Sequence, residues 1–202
     1  MKYFTSDPHY GHTNVIKYCD RPFKDDKGEP DIGKMHRALI DNWNATVSQL
    51  DEVYMLGDWS MHNAKWYLLL KRLNFSKLYW VVGNHDKRSK LEQMLAPGGE
   101  LEGLKVQVFS SCYVELGGKQ FYCVHRPIQA RDDMPSLCGH VHEVWSMRWP
   151  GDSIQEHSRK MQNMPAKLLL QPILNVGVDR HNFRPISETE VLAFFDKGKP
   201  DV

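Results

Sequence analysis

Carboxylate, carboxamide and imidazole side chains stand just after short apolar runs at five places: Asp7-Pro8-His9, Gly57-Asp58, Gly83-Asn84-His85-Asp86, His125 and Gly139-His140-Val141-His142. These are oxygen and nitrogen donors for divalent transition metals, and the histidines and carboxylates are also proton carriers. The stretch Leu78–Asp86 shows the logic most fully. Its apolar, aromatic and β-branched residues suit a buried strand, Gly83 lets the backbone turn without a Cβ clash, and the polar residues are presented beyond the sheet edge. An isolated Gly-Asn-His-Asp is explained equally well as a polar turn. Recurrence after successive strands is what favours chemistry. Asp7 and His9 are two apart, so an extended backbone would point both to one side, where one metal ion could take both; His140 and His142 share that spacing.

The elements that would position these groups follow from periodicity. Lys2–Ser6 reads as a first strand, Glu52–Leu56 as a second and Leu78–Val82 as a third. Helices are expected from Ile32 to about Leu50, where Met35, Leu39, Ile40, Trp43 and Val47 recur at helical spacing, then over Ala64–Leu73 and from about Arg88 to Leu95. The first half thus alternates β and α. Asn14–Gly33 reads as a polar, exposed connection. After Pro97-Gly98-Gly99 come short strands at Lys105–Phe109, Cys112–Leu116 and Lys119–Val124, with Gly117-Gly118 placed to turn a hairpin. Ser136–Cys138 and Ile173–Val178 are further strands, and Ser187 three before Glu190 forms a capping box ahead of a last short helix. Trp145–Leu170, mixing Trp, Met, Arg and Lys, reads as an insertion or a loop with partial helix, more often a solvated surface segment than a grip for a phosphate-bearing partner.

The 202 residues, 41% hydrophobic and 25% charged, suit a single domain over residues 1–202. A formal charge of +1 and a pI near 7.7 give no global basic field, which argues against a processive nucleic-acid enzyme and against an acidic membrane partner. No stretch approaches the length of a membrane span, and Met1–Asp7 lacks the apolar core of a signal peptide, so a cytoplasmic location is expected. Cys19, Cys112, Cys123 and Cys138 form no Cys-x-x-Cys pair and are expected as buried thiols.

If the strands bring their carboxyl ends together, Asp7, His9, Asp58, Asn84, His125, His140 and His142 converge. Seven such ligands are too many for one tetrahedral ion and suit two ions with a shared carboxylate. In this order, Asp-x-His, Gly-Asp, Gly-Asn-His-Asp, His and Gly-His-x-His resemble the calcineurin-like metallophosphoesterase superfamily. Arg21-Pro22-Phe23 and Asn175–Asp179 further resemble its compact bacterial and phage members. The resemblance implies an α/β fold of four layers, αββα, with two mixed sheets as a β-sandwich flanked by helices. It also implies two divalent ions, manganese first, with iron, zinc, nickel or cobalt as substitutes. Asp7, His9 and His142 would hold one ion and Asn84, His125 and His140 the other, with Asp58 bridging. Ions about 3.5–4 Å apart would hold a bridging hydroxide in line with the phosphorus. His85 would assist the leaving oxygen, and Asp86 would orient His85.

Around that set, His12, Arg21 and Arg126 are candidate substrate contacts, since a guanidinium binds phosphate in a bidentate manner. The resemblance implies a tyrosine directly after His125, as in the related small members, so Arg126 is a departure that concerns the substrate pocket and not the metal site. His36 and His62 lie near the motifs but outside the ligand set, and His181 is read as a hydrogen-bonded structural histidine. The expected activity is hydrolysis of a small phosphate ester or nucleotide, a phosphodiester in preference to a monoester because His85 is retained for a poor leaving group. The alternatives are a phosphomonoesterase, a nuclease whose Trp145–Lys167 segment stacks a short strand, or a non-catalytic metal-binding scaffold.

Overall fold

Apolar residues follow one another along β1 (Lys2–Thr5), β2 (Glu52–Met55) and β3 (Lys77–Val81), which run parallel and in register side by side. The pleat sends successive side chains to opposite faces. Val53, Met55, Leu78 and Trp80 enter one core, whereas Phe4, Tyr54, Leu56 and Val81 enter another. Both faces are therefore covered. The computed structural model describes residues 1–61, 63–155 and 166–198, and there the strands form two five-stranded mixed sheets flanked by helices.

The first sheet is completed by β4 (Val106–Phe109), parallel to β3, and by the edge strand β12 (Ile186–Ser187), antiparallel to β1. The second contains β5 (Cys112–Leu116), β6 (Lys119–Cys123), β7 (Ser136–Cys138), β11 (Ile173–Asn175) and β8 (Met147–Arg148), in that order across the sheet. Gly117 and Gly118, both at positive φ, turn the β5–β6 hairpin as expected. Phe121, Leu137 and Leu174 of the second sheet meet Phe4, Tyr54 and Val81 of the first, forming the core between them.

The outer face of the first sheet packs on α1 (Thr13–Tyr18), α2 (Ile32–Thr46), a 3-10 helix (Ala64–Arg72) and α3 (Arg88–Leu95). Three expectations change here. Residues 14–33 are not all loop: α1 buries Val15 and Ile16, and Phe23 is also buried, which leaves the exposed turn to Lys24–Pro30. The helix α2 stops at Thr46, not near Leu50, because Asp51 captures the Ser48 N–H and hydroxyl. The segment after Ala64 is 3-10, and its buried Tyr67 and Leu70 stand three apart, the period of that helix.

On the outer face of the second sheet, Cys138 and Ile173 pack with Trp145, Leu169 and Ile154, the last from the short ribbon of β9 (Ser153–Ile154) and β10 (Lys167–Leu168). Trp145 and Ile154 are thus core residues, and β8 has joined the sheet. The described part of 145–170 is scaffold; residues 156–165 of the expected insertion lie outside the described residues, as does His62. The capping box of Ser187 and Glu190 opens α4 (Glu188–Asp196), whose Val191 closes one end of the inter-sheet core.

Candidate dinuclear metal site

Parallel pairing puts the carboxyl ends of β1, β2 and β3 on one edge, and those of β6, β7 and β11 on the corresponding edge of the second sheet. The two edges are joined where Ser6 bridges Gly177 in parallel and the Val178 N–H donates to the Ser6 carbonyl at 3.1 Å. Every strand-end donor named from the sequence emerges at this seam. Asp7 leaves β1, Asp58 follows β2, Asn84 follows β3, His125 follows β6, and His140 and His142 follow β7.

The chain does not stay extended there. Asp7, His9, Asp58, His140 and His142 have φ of 58°, 52°, 56°, 74° and 47°, the left-handed region. The expectation that extended backbone aligns each i, i+2 pair is therefore corrected. Kinks do the aligning, and they curl the loop after β1 against that after β2, with N–H groups of Asp7, His9 and Tyr10 donating to the carbonyls of Gly57, Asp58 and Trp59. Asp and His tolerate this region better than most residues, yet each such position costs on the order of 1–3 kcal/mol, which the surrounding contacts must offset. Gly83 also acts differently from the expectation. Its φ is ordinary, and it is needed because a Cβ there would collide with the Asp58 carboxylate and backbone.

Two clusters result. Donor atoms of Asp7, His9 and His142 lie within 4.8 Å of one another, and so do those of Asp58, His125 and His140. Asn84 joins the second, its Oδ1 standing 3.1 Å from His125 Nε2. Asp58 faces both: its Oδ2 lies 3.3 Å from His125 Nε2, 3.8 Å from His9 Nε2 and 3.8 Å from His85 Nε2. Its Oδ1 accepts the His85 N–H at 2.8 Å. Burial alone would raise the Asp58 carboxyl, but His125, His9 and His85 outweigh it and hold the group well below the usual carboxylate range.

The histidines are oriented from behind. His125 Nδ1–H donates to the Leu56 carbonyl at 2.7 Å, which aims Nε2 inward. Burial pulls its pKa down, but Asp58 more than compensates and pushes it up to about 9. His142 Nδ1–H donates to Asp179 Oδ2 at 2.9 Å; against the pull of burial, this bond and Cys19 push it up to about 11. Asp179 is itself clamped by Arg21, whose Nε and Nη2 donate at 2.7 and 2.9 Å. Such a carboxylate behind a histidine fixes the tautomer and strengthens the ligand.

The expected ions fit the chemistry of these donors. Both ring nitrogens of His9 and Asp7 Oδ1 are buried without a hydrogen-bond partner, a state that costs about 1–3 kcal/mol per group unless something is bound. Burial holds His9 well below its normal pKa, so a neutral imidazole offers its lone pair at this point. Oxygen and imidazole donors without thiolate suit divalent transition metals.

Two expected roles are corrected. Arg21 does not reach a substrate: it is wholly buried, and besides Asp179 it donates to the carbonyls of Pro8 and Asp7, which locks the first loop. Asp86 does not orient the His85 imidazole. Its carboxylate accepts the N–H groups of Asp58, Trp59 and Gly83 and the Trp80 indole N–H at 2.9–3.0 Å, binding the turn after β3 to the loop after β2. Burial and the nearby Asp58 push its carboxyl up to about 6. The other two candidates remain near the clusters. The His12 ring is 5.6 Å from that of His9, and Arg126 lines a cleft with Asn84 and His125.

Sequence reasoning missed the supports. Asp179 stands after a strand that ends in glycine, as the ligands do, and this was the signal that could have marked it. His36 accepts the Gly11 N–H at 2.9 Å through Nε2, holding the loop that carries His9, and burial pushes it down to about 4. His181 is structural as read, its Nε2 bonded to the Asn175 carbonyl at 2.8 Å. All four cysteines are free thiols, with Cys112 and Cys123 opposite one another on β5 and β6. No described helix is long and apolar enough to cross a membrane.

Comparison with known proteins places this architecture. The chain is 28% identical over 201 residues to an uncharacterized protein of Methanocaldococcus jannaschii, covering 98% of this chain and 92% of that one. Among solved structures it is similar to a protein of unknown function from Aquifex aeolicus, with a TM-score of 0.61 and 20% identity over 96% of this chain and 98% of the other. A novel archaeal phosphodiesterase aligns with a TM-score of 0.40 and 16% identity over 87% and 82% of the two chains. Residues 3–182 match the family described as calcineurin-like phosphoesterase. That match runs through every strand end bearing a donor, and the chain belongs to the calcineurin-like phosphoesterases, a family of metal-dependent hydrolases of phosphate esters.

Proposed function

We propose that the protein is a phosphodiesterase that works with two divalent ions, manganese first, with iron, zinc, nickel or cobalt as substitutes. Asp7, His9 and His142 would hold one ion, Asn84, His125 and His140 the other, and Asp58 both. The observation that carries this reading is Asp58 Oδ2, which has the Nε2 atoms of His9, His125 and His85, drawn from three separate strand ends, within 3.3–3.8 Å. When bound, such ions polarise phosphoryl oxygens and lower the pKa of water at the site towards about 7. Hydrolysis then forms one P–O bond from water as the P–O bond to the leaving group breaks, and the leaving oxygen needs a proton.

His85 is the residue assigned to that proton. Its backbone N–H is pinned to Asp58, and its partly exposed side chain reaches the site within 3.8 Å of the bridging carboxylate. A diester has a poor leaving group at both ends, so a positioned acid favours diesters over monoesters. The expected setting is the cytoplasm, where the four thiols stay reduced.

Hydrolysis of bis(p-nitrophenyl) phosphate and of p-nitrophenyl phosphate tests the reading. Chelation should abolish turnover, Mn²⁺ should restore it, and the diester should be the better substrate by kcat/KM. His85→Ala should keep both ions and lose about 10²–10⁴-fold in rate on a diester with an alkoxide leaving group, the span of acid–base assistance, and less on the nitrophenyl esters, whose leaving group departs without a proton. No hydrolysis of either ester with metal restored would sink the proposal, and loss of the ions from His85→Ala would overturn the role given to that histidine.

A further inference from the structure

Next to the second cluster lies an open cleft of about 250 Å³, walled by Val82, Gly83, Asn84, Arg88, Ser110, His125, Arg126 and Gln129. It shares Asn84 and His125 with that cluster, so a phosphate held by the ions would stand at its mouth. The chemistry of the wall is one-sided. Among the described residues it offers two guanidinium groups, a hydroxyl and two carboxamides, and no described carboxylate side chain lines it. Arg88 is pre-positioned, with its Nε donating to Glu92 at 2.8 Å and Nη1 to Ser110 Oγ at 3.1 Å. Arg126 approaches from the other sheet, half-buried just beyond β6.

We propose that this cleft is an anion subsite for a second phosphate group of the substrate, with Arg126 as its principal contact and Arg88 and Ser110 as its far wall. Resting on the phosphodiesterase reading, it narrows the substrate class to phosphodiesters that carry a second phosphoryl group close to the scissile one, as in nucleoside diphosphate conjugates. Guanidinium groups suit this task because they remain charged and meet two phosphate oxygens at once. The ions would hold one phosphate, and a neighbouring phosphate would otherwise have to be desolvated with no counter-charge. An ester with a single phosphate leaves the cleft to water.

The test is calorimetric and needs no turnover. Manganese-loaded protein is titrated with methylphosphonate and with methylenebisphosphonate, which differ by one phosphoryl group and do not hydrolyse. Wild type should bind the bisphosphonate at least about tenfold more tightly than the monophosphonate. Arg126→Ala should lose most of that advantage, Arg88→Ala a smaller part and Arg126→Lys the least, while ion content and methylphosphonate affinity stay unchanged. Unchanged bisphosphonate affinity in Arg126→Ala and in the variant combining Arg126→Ala with Arg88→Ala would overturn the proposal. Oligothymidylate is titrated as a third ligand, and a loss confined to it would also overturn the proposal, since the arginines would then grip a nucleic-acid backbone. Failure of the phosphoesterase reading would appear separately, as absence of hydrolysis in the chelation and manganese experiment.

Discussion

The two halves of the ion-binding seam are built from the same residue types but not on the same terms. The half formed by Asp7, His9 and His142 is sealed at Asp7 and His9, which are almost wholly buried, while the His142 side chain is 23% exposed. Asp7 is held by the Ser6 hydroxyl and the His140 N–H, His142 by Asp179, and the loop by the buried Arg21. The half formed by Asn84, His125 and His140 is open. Asn84 is exposed, it would be a neutral ligand, and the arginine-lined cleft begins beside it. Charge and burial would favour a tightly retained ion in the first half, whereas a carboxamide at an open edge would favour one that is exchangeable and close to substrate. Asp58 faces both and would tie their occupancies together.

The widest separation between the halves should come from removing one ligand from each. His9→Ala should lose the sealed ion and, through Asp58, weaken the other, with activity falling on the order of 10³-fold, about 4 kcal/mol. Asn84→Ala should retain close to one ion per chain after desalting, and added Mn²⁺ should recover part of its activity. Metal analysis of the two variants decides, and equal ion loss from both would erase the distinction. A finer cut is Asp179→Asn, which leaves every ligand in place but weakens the acceptor behind His142. Affinity for the sealed ion should drop about 10–100-fold, with the open ion unchanged. A competition titration with a metal-sensing dye would register the difference.

The smallest effect concerns folding of the sealed half. His36 is neutral when it accepts the Gly11 N–H, and its folded pKa of about 4 lies below the ordinary 6.5. Between those values the unfolded chain binds the extra proton, so this contribution is complete above pH 6.5 and is lost as pH falls towards 4. A shift of that size corresponds to at most about 3 kcal/mol, and nearer 1–2 kcal/mol after solvent screening of a half-buried ring. Urea unfolding of wild type and His36→Gln at pH 7 and pH 5 should show a shallower loss in the variant. Parallel losses would remove His36 from the acid sensitivity of this half.

The donor set was legible because each member follows an apolar strand, often through glycine, and parallel strands must deliver their ends to one edge. The supports were not legible. Arg21 and Asp179 are 158 residues apart in sequence and meet only through the fold. Asp86 looked like a partner of the adjacent His85, yet its carboxylate points back to β2 and β3. Alternation described the strands well and failed just beyond them, where Asp7, His9 and His142 leave the extended region. The 3-10 segment after Ala64 was missed for a related reason, since apolar spacing of three fits either helix over a short span.

The left-handed backbone at five ligand positions also limits how this seam can drift. Glycine sits at such angles without strain, and asparagine, aspartate and, less readily, histidine at a smaller cost than other residues. A member of the lineage that abandoned catalysis would therefore not exchange these residues freely for apolar ones. Its vestigial seam would keep glycine or asparagine at positions 7, 9, 58, 140 and 142, a scar of geometry outlasting the chemistry that required it.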